Sequence, residues 1–240
     1  MQIFLYQILN CHINNYFMNK KSYTKILILT KCNIHTGTGH LKRSLQLRLS
    51  LQKTKLDSEI WTDKNKETKK ILSTINQKSK IKSFNKIPLS IQKYKQFKLV
   101  VIDIAWNDKW LEDNTQSFLK LIEKLNNQNI RVVNIGKPKL DTLQFRSFID
   151  IYPDGSKSET SGNISPRFVT LRKEFSQANI KTQKSFTGDI FLTMGGTDPL
   201  NILSKACDQL KNCTFVNHVT ILIGNNSNID TELMKKAFLK

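Results

Sequence analysis

The stretch His35-Thr36-Gly37-Thr38-Gly39-His40-Leu41-Lys42-Arg43 follows the apolar run Ile26-Leu27-Ile28-Leu29 and precedes an amphipathic segment, 45–51. This order predicts a first β-strand, a glycine turn and a first helix. Such a turn exposes backbone N–H groups and the positive end of the helix dipole, which together suit an anionic ligand. His40 lies at that place, and because imidazole exchanges a proton near neutral pH, it is the best candidate for a general base. A Gly-Thr-Gly turn is also a common strand-to-helix connection, and most isolated histidines are not catalytic, so a purely structural interpretation stands beside the functional one.

The length and composition bound the number of domains and the classes of binding partner. A chain of 240 residues with 39% hydrophobic side chains suffices for one large domain, or for one domain and part of a second. The formal net charge of +19 comes largely from lysines scattered through every segment, without an Arg-rich run or zinc-finger spacing. Dispersed charge is typical of a solvated surface, so nucleic acid is not an expected partner.

The cysteines and the N-terminal residues predict the compartment. The four cysteines show neither a CxxC pair nor metal-ligand spacing, which predicts free thiols in a reducing cytosol and no metal site. They are Cys11, Cys32, Cys207 and Cys213. Residues 1–24 are interpreted as an N-terminal extension, with Met18 as the expected natural start. Polar side chains interrupt the apolar residues of 1–18, so neither a signal peptide nor a membrane span is expected.

Apolar runs and helical patterns alternate after the first helix. Strands are predicted at 59–62, 98–105, 130–135 and 148–152, and helices at 65–76 and 118–125. The Lys-rich stretch 77–97 is expected to hold a short strand or helix near 87–91, and the polar stretch 153–165 a loop on the ligand side. Asp103 ends the most apolar run, as in a parallel sheet whose carboxyl edge faces a site. The alternation predicts an α/β fold with a parallel sheet wrapped by helices.

A second strand, glycine turn and helix begin after a polar linker, 177–187. The segments 189–194, 195–199, 200–210 and 219–223 are predicted as strand, turn, helix and strand, and 230–238 as a last helix. Thr197 and Asp198 are predicted to cap the helix that Pro199 begins. Because both halves present a glycine turn, their sheet edges are expected to face each other across a cleft that holds a nucleotide-linked substrate.

Four motifs, in order and spacing, resemble a known enzyme family. They are Gly37 to Arg43, Asp103, Pro166 to Phe175, and Gly195 to Asn201. They resemble the motifs of the hydrolases that cut UDP-2,4-diacetamido-2,4,6-trideoxy-β-L-altropyranose in pseudaminic acid biosynthesis, and of the related spore-coat-polysaccharide-type proteins. Both groups are similar in fold to glycosyltransferases of the two-Rossmann-domain (GT-B) class. The resemblance covers about 25–240 and implies an N-terminal Rossmann-like domain (25–176, the sugar side) and part of a C-terminal nucleotide-binding domain (188–240).

The resemblance also implies a chemistry and a set of site residues. Water attacks the UDP-sugar without a metal or another cofactor, and His40 activates that water. The implied substrate-binding residues are Gly37, Thr38, Gly39, Arg43, Asp103, Arg172, Gly195, Gly196 and Thr197. Arg43 is expected to pair with a phosphate or, as the favoured choice, with an acidic neighbour. Asp198 and Asn201 are expected to be caps rather than ligands.

Two departures from the family pattern keep other functions open. The hydrolases usually carry a tyrosine two residues after the strand-ending aspartate, where this chain has Ala105. This difference favours a likeness to the spore-coat-type relatives over the altropyranose hydrolases. In the family a further stretch of the second domain follows the segment that ends here at Lys240. Transfer of the sugar to an acceptor, and a non-catalytic nucleotide-sugar-binding remnant, are therefore the alternatives to hydrolysis.

Overall fold

A computed structural model describes most of the chain from residue 25 to residue 224. The described residues are 25–33, 35–75, 80–105, 108–136, 147–150, 163–164, 185, 187–195, 198 and 200–224. For 147–150 and 163–164 the description is of the backbone. Among the described residues, the model shows no helix with both the length and the apolar character needed to cross a bilayer.

The first sheet has seven strands, each parallel to its neighbours. In chain order they are β1 (Lys25–Thr30), β2 (Asp57–Asp63), β3 (Ile81–Phe84), β4 (Leu99–Asp103), β5 (Arg131–Ile135), β6 (Ser147–Asp150) and β7 (Asn163–Ile164). Across the sheet the order is β3-β2-β1-β4-β5-β6-β7. The chain thus builds outward from β1 in one direction and then, from β4, in the other. This reversal puts the topological switch point of the sheet between β1 and β4.

Helices cover both faces of this sheet, because successive side chains of a strand point to opposite faces. The helices are α1 (Gly39–Lys53), α2 (Lys66–Ser73) and α3 (Lys109–Asn127), with a short 3₁₀ turn at Ile91–Lys93. On one face α1 buries Leu41 and Leu47 against Ile28. On the other face α3 buries Phe118 in the same cluster as Leu29.

A second, two-stranded parallel sheet is formed by β8 (Asp189–Thr193) and β9 (His218–Leu222). They are connected by helix α4 (Ile202–Leu210). Leu203 and Cys207 of α4 are buried, with Leu192 and Ile221 of the strands packed against them. Side chains in the alternate positions of the strands are exposed, among them Phe191 at 61% and Leu222 at 56%.

The predicted α/β fold with a parallel sheet is confirmed, and three local predictions differ from the structure in part. The stretch 77–97 holds the 3₁₀ turn Ile91–Lys93, at the end of the expected position 87–91, and also strand β3, which precedes that position. Pro88 interrupts 87–91 as a strand, since proline cannot donate to a strand ladder. The expected loop 153–165 contains β7. Helix α4 begins at Ile202 rather than at Pro199.

Several predictions lie outside the described residues. They are the extension 1–24 with Cys11 and Met18, the motif 166–175 with Arg172, most of the linker 177–187, the glycine-turn residues Gly196, Thr197 and Pro199, and the last helix at 230–238. The domain boundaries at 176 and 188 remain a proposal.

Candidate active site at the switch point

The ends of β1 and β4 bring the predicted catalytic turn and the predicted acid together. Thr30 and Asp103 are register partners in the parallel pair, although they are far apart in sequence. The Thr30 hydroxyl donates to the Asp103 backbone carbonyl at 2.9 Å, which fixes the two strand ends to each other. The chain leaves β1 through the glycine turn into α1, so His40, in the first turn of α1, lies above the end of β4.

His40 and Asp103 form a hydrogen-bonded pair. His40 Nδ1 lies 2.7 Å from Asp103 Oδ1, and the Asp103 side chain is fully buried whereas that of His40 is 23% exposed. Arg43 Nη2, which can only donate, lies 3.1 Å from the same Nδ1. The contact to Asp103 is shorter, and because an ionised carboxylate only accepts hydrogen bonds, we assign Nδ1 as the donor. The neutral imidazole then carries its lone pair on Nε2, for which no described residue is a hydrogen-bond partner. This arrangement holds a partly exposed ring in the tautomer that a general base needs.

Arg43 binds the same carboxylate from the next turn of α1. Its Nε donates to Asp103 Oδ2 at 2.9 Å, and its Nη2 donates to Oδ1, the oxygen that His40 also uses. Ser44 Oγ adds a longer contact of 3.3 Å to Oδ2. The predicted pairing of Arg43 with an acidic neighbour is therefore what the structure shows. Burial raises the pKa of Asp103, but the hydrogen bonds from Arg43 and His40 and the charge of Arg43 outweigh it and hold the pKa below its usual range.

The N-terminus of α1 is uncapped in the described structure. Thr38 occupies the cap position without a side-chain hydrogen bond to the helix, and the first turn contains no acidic residue. The backbone N–H groups of residues 39–41 donate to no described residue. A Cβ built on Gly39 meets no heavy atom within 4 Å, so this position opens onto free space. Uncompensated N–H groups beside free space suit an anionic ligand.

The backbone N–H groups of the turn before α1 donate to acceptors within the turn itself. Asn33 Oδ1 accepts from the N–H groups of His35 and Thr36 at 2.9 and 2.8 Å. Gly37 N donates to the Asn33 carbonyl at 2.9 Å, and Gly37 has a φ of +78°, which favours glycine. The turn is thus closed on Asn33, and the donors that remain are those of the helix itself.

A second polar cluster, which the sequence analysis missed, lies at the same carboxyl edge. Lys31 Nζ lies 3.4 Å from Asp108 Oδ1 and 3.6 Å from Asp63 Oδ2, and 5.1 Å from the centre of the Trp110 ring. Asn33 Nδ2 donates to Asp108 Oδ2 at 2.7 Å. Lys31 continues the alternation of Leu27 and Leu29, so it belongs to the α3 face of the sheet, whereas Asp103 belongs to the α1 face with Val101. The sequence offers a signal only for Asp63, which ends the apolar strand β2.

The second glycine turn is built differently. Gly195 has a φ of +73° and no heavy atom within 4 Å of a built Cβ. The Asp198 carboxylate accepts from Ile202 N at 2.9 Å and from Leu203 N at 3.0 Å, so it caps α4 as predicted. Asn201 occupies the cap position in a left-handed conformation but makes no side-chain cap, so the prediction for Asn201 is wrong.

Six of the residues predicted for the site share one neighbourhood. They are Gly37, Thr38, Gly39, His40, Arg43 and Asp103. Gly195 belongs to the second sheet, whereas Gly196, Thr197 and Arg172 are outside the described residues. No group of three or more His, Cys, Asp or Glu side chains that could hold a metal ion occurs in the described part of the chain.

Sequence comparison finds one distant relative and no matching family model. The uncharacterized protein MJ1062 of Methanocaldococcus jannaschii is 23% identical over 219 residues, which cover 87% of this chain and 44% of that protein. The chain therefore spans less than half the length of this curated relative.

Structure comparison identifies the fold. The crystal structure of MurG from Acinetobacter baumannii matches with a TM-score of 0.53 and 11% sequence identity, over 89% of this chain and 62% of MurG. At this identity the likeness concerns the fold alone. Together with the parallel sheet and its switch point, it shows that the chain has a Rossmann-like α/β fold of the GT-B kind.

Proposed function

We propose that this chain belongs to an enzyme that hydrolyses a UDP-linked deoxy-diacetamido sugar to UDP and free sugar, as in the making of pseudaminic-acid-like surface glycans. The observation that carries the proposal is the His40–Asp103 pair at the uncapped N-terminus of α1. In this proposal His40 is a base that lies beside backbone N–H groups for which no described residue is an acceptor. The GT-B-like fold and the resemblance of the four motifs support a nucleotide-sugar as the substrate.

The proposed reaction uses His40 Nε2 as the base. A water molecule attacks the anomeric carbon of the sugar while Nε2 removes its proton, and the bond from that carbon to the diphosphate oxygen breaks with its electron pair leaving on UDP. Asp103 keeps Nδ1–H in place and stabilises the imidazolium that forms. The proton then passes from Nε2 to solvent, which returns the base to its starting state.

The helix N-terminus supplies the electrostatic part of the proposal. Negative charge develops on the leaving diphosphate. The backbone N–H groups of residues 39–41 carry partial positive charge at the N-terminus of α1 and would stabilise it. Gly37, Thr38 and Gly39 are proposed to contact substrate there, and Gly39 leaves the space that close approach requires. Arg43 is proposed to act through Asp103, to which it donates.

The second glycine turn is proposed to contact the nucleotide. Gly195, Gly196 and Thr197, with Arg172, form the nucleotide side in this proposal, which rests on the family resemblance. The free thiols of Cys32, Cys207 and Cys213 fit a reducing compartment, and the reaction is proposed to occur in the cytoplasm.

Transfer of the sugar to an acceptor hydroxyl is the second candidate, and the likeness to MurG favours it. The same Nε2 lone pair can remove a proton from an alcohol as well as from water. The two functions differ in one observable: hydrolysis releases UDP in the absence of any acceptor, whereas transfer does not.

The test is a UDP-release assay with UDP-linked diacetamido-trideoxy sugars, in the absence of an acceptor. His40→Ala should lower the rate by about 10²- to 10⁴-fold, the usual contribution of a general base. His35→Ala is the matched control, because His35 is an exposed histidine of the same turn and bonds Asn33 through its backbone N–H. The control should keep the wild-type rate.

Three outcomes decide between the candidates. UDP release that survives His40→Ala unchanged would remove His40 from the mechanism. Release that appears only after an acceptor is added would favour transfer over hydrolysis. UDP-sugar binding, seen as a ligand-dependent rise in melting temperature, without turnover in either assay would favour the non-catalytic remnant.

A further inference from the structure

Asn33 connects the turn that carries His40 to the segment that follows β4. Its side-chain oxygen accepts from His35 N and Thr36 N, and its side-chain nitrogen donates to Asp108 Oδ2 at 2.7 Å. Asp108 in turn accepts from Trp110 N at 3.0 Å and so caps α3. One amide side chain therefore links the turn before α1 to the N-terminus of α3.

Buried charge holds the far end of this link in place. Asp108 is 2% exposed, and its carboxylate lies beside Lys31, which also approaches Asp63 at the end of β2. Asp63 is itself fixed, because its Oδ1 accepts from Cys32 N at 3.0 Å and its Oδ2 from Asn65 Nδ2 at 2.9 Å. A buried carboxylate with several donors has little freedom to move, since each lost hydrogen bond leaves a buried polar group unsatisfied.

We propose that Asn33, held by Asp108, is a positioning residue that fixes the turn leading to His40 without touching the substrate. This inference rests on the proposed function of His40. The start of α1 is then tied at two places: His40 and Arg43 bind Asp103 at the end of β4, and Asn33 binds Asp108 a few residues later. A single tie leaves the helix start free to pivot, whereas two ties on opposite faces of the sheet define its orientation. A displacement of about 1 Å at a reacting group lowers turnover by as much as about 100-fold.

The donor and acceptor of this link can be exchanged without changing net charge. Asn33→Asp keeps the oxygen that closes the turn but places a carboxylate against Asp108, so the link is lost. Asp108→Asn keeps an oxygen for Trp110 N and offers an amide donor. The double variant N33D/D108N restores a donor–acceptor pair with the direction reversed.

The experiment measures kcat and KM for UDP release together with amide hydrogen exchange at residues 35–37. Asn33→Asp should lower kcat by about 10- to 100-fold and KM by much less, and should speed exchange of these amides. The double variant should recover most of the lost kcat and most of the protection of these amides from exchange. Ile122→Val is the matched control for a modest loss of stability: Ile122 is buried in α3, about 20 Å along the helix from Asp108 at 1.5 Å per residue, and kcat should not change.

Each result either supports or overturns the proposal. Unchanged kcat and unchanged exchange in Asn33→Asp would overturn it, as would losses that the double variant does not recover, because these would report general unfolding. If the wild-type chain itself releases no UDP, the proposed function fails, and the exchange measurements alone decide whether Asn33 fixes the turn.

Discussion

The two sheets carry the same order of strand, glycine turn and helix, but the N-termini of their helices are occupied differently. At α1 the cap residue Thr38 makes no side-chain bond to the helix, and the first N–H groups donate to no described residue. At α4 the Asp198 carboxylate occupies the N–H groups of Ile202 and Leu203. An anionic ligand would compete with Asp198 at α4, whereas α1 presents no such competitor. A repeated sequence motif thus does not imply a repeated binding chemistry.

The side chains around the two turns also differ in polarity. The first turn lies among charged groups, with the buried Asp103 and the half-buried Arg43 on one face of the sheet and the buried Lys31 on the other. The second sheet instead exposes apolar side chains such as Phe191 and Leu222. We therefore expect changes at the first turn to affect stability and chemistry together, and a change of the cap residue Asp198 beside the second turn to act mainly on local helix stability.

The largest effect is expected for Asp103→Ala. This change removes the fully buried carboxylate that Arg43 and His40 share, and breaking a buried ion pair usually costs about 3–5 kcal/mol. Urea denaturation measures the loss. Asp113→Ala removes the same charge from an exposed position on α3 and should stay within about 0.5 kcal/mol of wild type. A loss below about 1 kcal/mol in Asp103→Ala would contradict the contrast between the two turns.

Acid is expected to weaken the first turn through the same carboxylate. The pKa of Asp103 in the folded protein is held below its usual range, so the stability it contributes is present above its unfolded pKa of about 3.9 and is lost as the pH falls through the folded value. The effect should be smaller than that of Asp103→Ala, because protonation keeps a group that can hydrogen bond. Urea denaturation between about pH 2 and pH 5 should show that the free energy of unfolding depends less steeply on pH in Asp103→Asn than in the wild type. An identical pH dependence in the two proteins would argue against Asp103 as its origin.

A smaller, local effect is expected for Asp198→Ala. The change removes the cap of α4 and should cost about 1 kcal/mol. Hydrogen exchange of the amides of Ile202 and Leu203 should speed up, while the amides of α1 should not respond. Asp208→Ala, at an exposed position near the end of the same helix, is the control and should leave the exchange of Ile202 and Leu203 unchanged.

The smallest effect on stability is expected for Gly39→Ala. Gly39 is in the first turn of α1, without a left-handed φ and with room for a Cβ, so alanine should stabilise the protein by about 0.4–1 kcal/mol. If this room serves the substrate, UDP-sugar binding should weaken at the same time. Gly37→Ala should have the opposite effect on stability from Gly39→Ala. Because Gly37 has a φ of +78°, alanine there should destabilise the protein by about 1–2 kcal/mol. Thermal melts with and without ligand measure both.

The sequence predicts the elements that have a strong local pattern. The runs around Ile28 and Val101 are apolar throughout, as parallel strands buried on both faces require, and both strands lie where they were expected. Strand β3 was missed because it lies at the edge of the sheet and only its first and last residues, Ile81 and Phe84, are partly buried. Ile87 is buried without regular structure, so its apolar character alone does not indicate the strand or helix that was expected near 87–91.

The site was predicted in part, because its contacts join distant segments. His40 and Asp103 were each recognised, but their hydrogen bond spans 63 residues and depends on the register between β1 and β4. The link from Asn33 to Asp108 spans 75 residues. Lys31 has no distinguishing local pattern in a chain with scattered lysines, and it becomes informative only when the fold places it between two carboxylates.

Cys32 gives the molecule a built-in chemical reporter at the first turn. Its thiol is buried, and that burial together with the charge of Asp63 raises its pKa to about 12. At neutral pH the Cys32 thiol therefore stays protonated, and the thiolate rather than the thiol is the nucleophile. Among the cysteines that the structure describes, alkylating reagents should therefore modify the half-buried Cys213 first and reach Cys32 only when the segment between β1 and α1 opens. The rate of that slow modification is a direct measure of how often the candidate active site comes apart.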